Sequence, residues 1–289
     1  MHVAAPRCKV ACMLGAFSRK SKSAFRLTAA ALFSCLLPSF TAQAQQTPPQ
    51  LQERSGAIVP HVESVQPLND YQRSQMADWV RDFADLHRYR AANQELGDPV
   101  SGEHRVIFFG DSITDKWTLH QYFPDKHYIN RGISGQTTSQ MLLRFRQDVV
   151  NLDPDVVIIL AGTNDIAGNT GPISIEDIEG NITSMAELAR AHDIALVLSS
   201  VTPVNNYTPA TLRLFADRPP SEILRLNEWM KAYCASTNCY YLDYFDAMVD
   251  GSGLMKRELT DDGLHPNHAG YKIMTPLAQS AIDKTMASR

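Results

Sequence analysis

Acidic residues are missing from the first 44 positions, although Arg7, Lys9, Arg19, Lys20, Lys22 and Arg26 all lie there. Long apolar runs are missing too. The best candidate, "LTAAALFSCLLPSF" over 27–40, spans about 14 residues where a bilayer-crossing helix needs ~20. It is followed by "TAQAQQ", in which Ala42-Gln43-Ala44 offers a small-x-small cleavage site. Basic, apolar and small-residue regions in that order form a secretory leader. We therefore expect a signal peptide over residues 1–44, a secreted or periplasmic protein, and no stable membrane insertion once the leader is removed. A lipid anchor at Cys35 is disfavoured because bulky Phe33 sits inside the would-be recognition box.

Cysteine is scarce. Of five, Cys8, Cys12 and Cys35 belong to the leader, which leaves Cys234 and Cys239 as the only pair. In an oxidising compartment that pair is expected to form a disulfide. The lack of a second cysteine pair or a nearby histidine argues against a structural zinc site, so neither a metal nor a cofactor is expected. Without the six basic residues of the leader, 21 basic residues face 31 acidic ones, a balance near −10. Such a surface repels polyanions, so nucleic acid is not an expected partner. No internal repeat is present, and nothing in the sequence sets an oligomeric state.

The chain after the leader reads as one organised unit. Residues 45–68, "QQTPPQLQERSGAIVPHVESVQPL", are rich in Gln and Pro without sustained period and are expected to be an extended N-terminal segment. Residues 69–100 form an expected helical extension capped by Asn69 or Asp70. Its stripe of Met76, Trp79, Val80, Phe83 and Leu86 recurs at three- and four-residue spacing and predicts a core-facing side. From residue 101 to 289 strands alternate with helices. Predicted strands are 106–109, 128–130, 156–161, 195–199 and 240–243; predicted helices cover 138–150, 175–190, 221–233 and 267–286. Near-continuous apolar strands such as "VVIILA" suit a parallel sheet covered on both faces, so the alternation predicts a three-layer α/β/α sandwich.

Ligands in such folds bind beyond the carboxyl ends of the strands. The stretch "RVIFFGDSITDKW" delivers Ser112 to that rim, with Gly110 permitting the turn. A serine hydroxyl needs a base to become a nucleophile, and histidine is the usual one. Of nine histidines, His265 has the most suggestive setting, "LTDDGLHPNHAGY": Pro266 stops a helix from running through it, and Asp262 stands three residues earlier. That spacing lets a loop curl the carboxylate under the imidazole, although Asp261 competes for the role. His120 remains a candidate pocket-lining residue. His265 and His268 together lack a convincing third metal ligand. Two more strand exits, "INRGISGQTT" and "ILAGTNDIAG", bring Gly132, Gly135 and Asn164 as candidate donors to a developing oxyanion. Trp117, Asp115 and the loop over 202–220 are candidates for shaping the pocket, with a core role for Trp117 equally open.

The blocks "FFGDSIT", "GISGQTT", "AGTND" and "DGLHPNHAGY", in this order from Arg105 to about Ile282, resemble those of the SGNH or GDSL hydrolases, nearest to the platelet-activating factor acetylhydrolase-like branch. Isoleucine stands here where the motif's name has leucine. The resemblance implies a flavodoxin-like parallel sheet and a serine esterase without metal or cofactor. It implies Ser112 as nucleophile, Asp262 and His265 as the rest of the triad, and Ser112 N–H, Gly135 N–H and the Asn164 side chain as oxyanion donors, with Gly132 the alternative glycine. The implied substrates are carboxylic esters, first among them acetyl esters on carbohydrate or small molecules, then lysophospholipid. A reading of another class, a non-catalytic glycan-binding protein on the same scaffold, would be favoured by loss of the serine, histidine or asparagine, and all three are present.

Overall fold

The computed structural model describes residues 67–99 and 102–288. The leader and most of the extended segment expected before residue 67 lie outside the described residues. Among those described, no helix is long and apolar enough to cross a membrane.

Five strands form the sheet: β1 Val106–Gly110, β2 Ile129–Gly132, β3 Val156–Leu160, β4 Ala195–Ser199 and β5 Tyr240–Leu242. Their order is β2-β1-β3-β4-β5 and every pairing is parallel. All five residues of β1 and of β3 are buried, as a sheet covered on both faces requires. Alternate residues point to opposite layers. Ile107, Phe109, Val157 and Ile159 pack with Phe145, Ile182 and Leu226, whereas Phe108, Ile158 and Leu160 pack with Trp117, Tyr271 and Met274. The three-layer α/β/α sandwich and its flavodoxin-like strand order are thus present, and they place the β1/β3 boundary where the chain switches direction across the sheet.

In chain order the helices are α1 Asp70–Arg81, α2 Arg90–Glu95, α3 Ser112–Asp115, α4 Leu119–Tyr122, α5 Thr138–Asp148, α6 Thr163–Ile166, α7 Ile175–Ala191, α8 Leu212–Ala216, α9 Pro220–Thr237, α10 Tyr244–Met248 and α11 His268–Ala287. Helices α5, α7 and α9 supply one layer; α11 with α3 and α10 supplies the other. Cys234, near the end of α9, is bridged to Cys239 just before β5.

The N-terminal extension departs from expectation. Asn69 caps α1 through a reciprocal pair of bonds with Gln72, but the helix stops at Arg81. The reason is tertiary. Backbone carbonyls of Phe83, Ala84 and Leu86 accept side-chain amides of Gln140, Gln136 and Gln147, so they are withdrawn from any helical ladder. Nor is the apolar stripe core-facing: Met76, Val80 and Phe83 are exposed, and Trp79 is half-buried with its ring edge against Phe83. Tyr89 O–H donates to the Gly132 carbonyl, and Asn93 donates to Asp148, which fastens the segment to β2 and α5.

Candidate active site

Ser112 is the first residue of α3, directly beyond β1, and its side chain reaches the rim although only 6% of the residue is exposed. Asp111 caps that short helix by accepting the Ile113 N–H at 2.9 Å. Asn130 ties off the other end by donating to the carbonyls of Thr114 and Trp117, and Tyr271 O–H donates to the Ile113 carbonyl. As the first helical residue, Ser112 keeps a backbone N–H with no intrahelical acceptor.

The histidine comes from a loop closed by an antiparallel bridge between Thr260 and Pro266. His265 Nε2 lies 2.9 Å from Ser112 Oγ, and Nδ1 lies 2.6 Å from Asp262 Oδ2. The other carboxylate oxygen, Asp262 Oδ1, accepts the backbone N–H of Leu264 and of His265. Burial alone would raise the Asp262 carboxyl, but the His265 side chain and these backbone donors outweigh it and hold the group well below the usual carboxylate range. Asp261 is turned elsewhere and accepts from Asn267. His268 turns to Tyr122, not to His265.

Gly135 and Asn164 meet Ser112 and His265 in one open cleft of about 620 Å³. Gly135 takes φ 81°, in the left-handed region that suits glycine, and its N–H has no acceptor among the described residues. Asp115 Oδ2 holds the turn by accepting the Ser134 N–H and hydroxyl, and Asn169 donates to the Gly135 carbonyl. Gly132 is not available for the same task, because its N–H donates to Asn130 Oδ1 at 2.8 Å. A Cβ at Gly132 would also stand 2.1 Å from the Asp115 nitrogen, so its glycine is needed for close packing under α3.

The orientation of Asn164 is fixed from two sides. Its Nδ2 donates to the Gln136 carbonyl at 3.0 Å, and its Oδ1 accepts Arg218 Nη2 at 3.2 Å. An amide accepting from a guanidinium has its oxygen assigned, so Nδ2 with its second hydrogen faces away from Arg218. Arg218 is buried and also donates to Thr163 Oγ1. Arg144, fully buried, orients Gln136 by donating to its Oε1 and clamps the strand exits by donating to the carbonyls of Gly110 and Arg131.

Two carboxyls beneath the cleft are pushed up to about 6 by burial: Asp111, against the Ile113 N–H and the charges of His265 and Arg218, and Asp165, against the hydroxyl and N–H of Thr138. Sequence reasoning missed the roles of Arg218, Arg144, Gln136 and Asn169; the signals were that Arg218 falls in the loop singled out over 202–220 and that Gln136 falls in the block "GISGQTT". That loop contains α8 and lines the cleft through Arg213, Leu214, Asp217 and Arg218. Trp117 is core, 2% exposed and stacked on Tyr271. His120 is exposed and lies off the cleft, contrary to the pocket-lining expectation. Asp115 acts on the cleft through Ser134 and does not line it.

Residues 108–273 match the family model described as GDSL-like Lipase/Acylhydrolase. An uncharacterized lipoprotein of Bacillus subtilis (strain 168) is 30% identical over 122 residues, which is 36% of this chain and only half the length of that protein. Platelet-activating factor acetylhydrolase IB subunit alpha2 of Homo sapiens is 27% identical over 196 residues, covering 64% of this chain and 79% of that protein. Among solved structures, a GDSL-like lipase from Bacteroides thetaiotaomicron superposes with a TM-score of 0.66 at 43% identity, over 70% of this chain and 99% of that one.

Proposed function

The chain belongs to the GDSL-like lipase/acylhydrolase family and is a carboxylic ester hydrolase; from that premise we propose that it is an exported serine esterase acting on short acyl esters, acetyl above all, of carbohydrates or small molecules. The observation that carries this reading is the chain of contacts from Ser112 Oγ to His265 Nε2 at 2.9 Å and from His265 Nδ1 to Asp262 Oδ2 at 2.6 Å. Ser112 attacks the ester carbonyl while its proton passes to His265 Nε2. The tetrahedral oxyanion is met by the Ser112 and Gly135 N–H groups and by Asn164 Nδ2. Collapse breaks the bond to the alcohol, which takes the proton from His265 and leaves an acyl-serine. Water then attacks that ester, again giving its proton to His265, and the acid departs as Ser112 is reprotonated. Asp262, held ionised, keeps the imidazole in the required tautomer and stabilises it when charged.

The acyl preference rests on the lining of the cleft. Lys116, Ser134, Asn169, Arg213 and Asp217 present polar groups to it beside the apolar Ala167, Leu214 and Leu264. A long acyl chain would strip water from these groups without replacing their hydrogen bonds, whereas a hydroxylated alcohol replaces them. Export is supported by the leader pattern and by the Cys234–Cys239 bridge, a linkage of oxidising compartments. Hydrolysis of p-nitrophenyl esters from acetate to octanoate by the mature chain and by Ser112→Ala tests the proposal. Acetate cleaved fastest, with the variant at least ~10⁴-fold slower, is the expected result. A variant as fast as the parent overturns the serine mechanism, and a parent that prefers octanoate overturns the short-acyl assignment.

A further inference from the structure

The catalytic cleft is charged oppositely to the chain around it. The sequence carries 31 acidic residues against 27 basic ones, but the cleft is lined by Lys116, Arg213 and Arg218 against the single carboxylate of Asp217. Arg218 is already committed: it is buried, donates to Thr163 and Asn164, and faces the charge of Asp111. Lys116 and Arg213 are not. Both are exposed, and neither has an ion-pair or side-chain hydrogen-bond partner among the described residues.

Their placement is as specific as their charge. Lys116 lies one turn after Ser112, its N–H donating to the Ser112 carbonyl, so its side chain leaves the backbone one helical turn from Ser112, and it lines the same cleft. Arg213 arrives on α8, from a segment remote in sequence, and lines the same cleft. The neighbouring cleft, which shares Gln75, Ser134 and Gly135 with this one, is lined by Asp78, Asp82 and Asp85 alongside Arg81, His87 and Arg90. Two unpaired cations therefore lie together at the cleft that holds Ser112, opposed on its lining by Asp217. Two such groups beside a reacting ester attract an anion, the lysine as a point charge and the arginine as a fork matched to carboxylate or phosphate.

We propose that the cleft selects esters carrying an anionic group close to the ester bond, with Lys116 and Arg213 as the recognition pair, so that an O-acylated acidic sugar is a better substrate than its neutral counterpart. The inference rests on the esterase reading above and adds the charge of the substrate to it. The test compares 4-acetoxybenzoate with its neutral methyl ester, by the ratio of their kcat/KM values at low salt, in the parent and in Lys116→Gln/Arg213→Gln. Taking the ratio in both proteins cancels the intrinsic difference between the two phenols. The expected result is a ratio roughly tenfold lower in the double variant, carried by a larger loss on the anionic ester than on the neutral one, and a parental ratio that also falls as salt is raised. A ratio unchanged by the substitutions overturns the proposal, as does loss of both esters together, which would mean that the pair serves folding or chemistry. If the parent cleaves neither ester, the esterase reading fails first and this inference with it. A third arm with 4-acetoxyphenyl phosphate tells carboxylate from phosphate by which anion loses more in the variant.

Discussion

The two halves of the cleft are held in place by different means. The histidine half is built from neighbours: Asp262 accepts from Leu264 and His265, Gly263 N–H donates to Thr260 Oγ1, and one bridge from Thr260 to Pro266 closes the loop. The donor half is built from strangers. Asn164 is fixed by Arg218, 54 residues away, and by the carbonyl of Gln136, whose side chain is in turn held by Arg144. Short-range geometry makes the first half self-sufficient once the strands are paired. The second depends on α5 and the 202–220 loop both being in register, because Gln136, held by Arg144 of α5, and Arg218 each supply one bond to the same amide.

The largest effect should come from breaking the local half. Asp262→Asn leaves the loop with an acceptor for its backbone donors but deprives His265 Nδ1 of its anion, and kcat on p-nitrophenyl acetate is expected to fall roughly 10⁴-fold. A loss below tenfold would show that the imidazole is oriented by something other than Asp262. In the donor half, Asn164→Ala should lower kcat by about 100-fold, near 3 kcal/mol of transition-state stabilisation. Arg218→Ala is expected to cost less alone, about tenfold, and nothing further when Asn164 is already alanine, because the arginine acts through that amide. Additive losses in the double variant would break the comparison by giving Arg218 a direct part in the reaction.

The smallest effect concerns Asp111, which lies under both halves and feels both His265 and Arg218. Its folded pKa, about 6, exceeds the ~4 of an unfolded aspartate, so between those values the folded state binds more protons than the unfolded one. Stability therefore falls as pH rises through that window, by at most about 3 kcal/mol from this group. Denaturant unfolding at pH 4 and pH 7 should show a smaller decline for Asp111→Asn than for the parent. Equal declines would mean that the carboxyl ionises as freely in the fold as outside it.

The same division explains what could be read from the sequence. β4 runs from 195 to 199 as its apolar run predicts, and α7 and α11 differ from prediction by a residue or two at their ends, because apolar period and capping residues act within a few positions. A strand exit and a short loop mark Ser112 and His265 as candidates, but local spacing leaves Asp261 competing with Asp262, and it is the resemblance of the four blocks to the SGNH hydrolases that joins the three residues. Arg218 was not legible. It stands in "FADRPP", where no periodicity marks it, and its value comes only from folding against Asn164. The apolar stripe of the extension misled for the converse reason. Its helical period is real over α1, but the glutamines of another segment take the carbonyls that would have continued it.

That last arrangement has an evolutionary side. Gln136, Gln140 and Gln147 grip the extension by its carbonyl oxygens at Ala84, Phe83 and Leu86, and a carbonyl is common to all twenty amino acids. The path of the segment is thus specified largely by the domain, while many of its side chains stay open to drift; Ala84, only 2% exposed, requires a small side chain, and Tyr89 and Asn93 bond to Gly132 and Asp148 through theirs. Gln75 and Asn69, on and just before α1, edge the catalytic cleft. Selection can rewrite what borders Ser112 there without disturbing the route by which the chain reaches it.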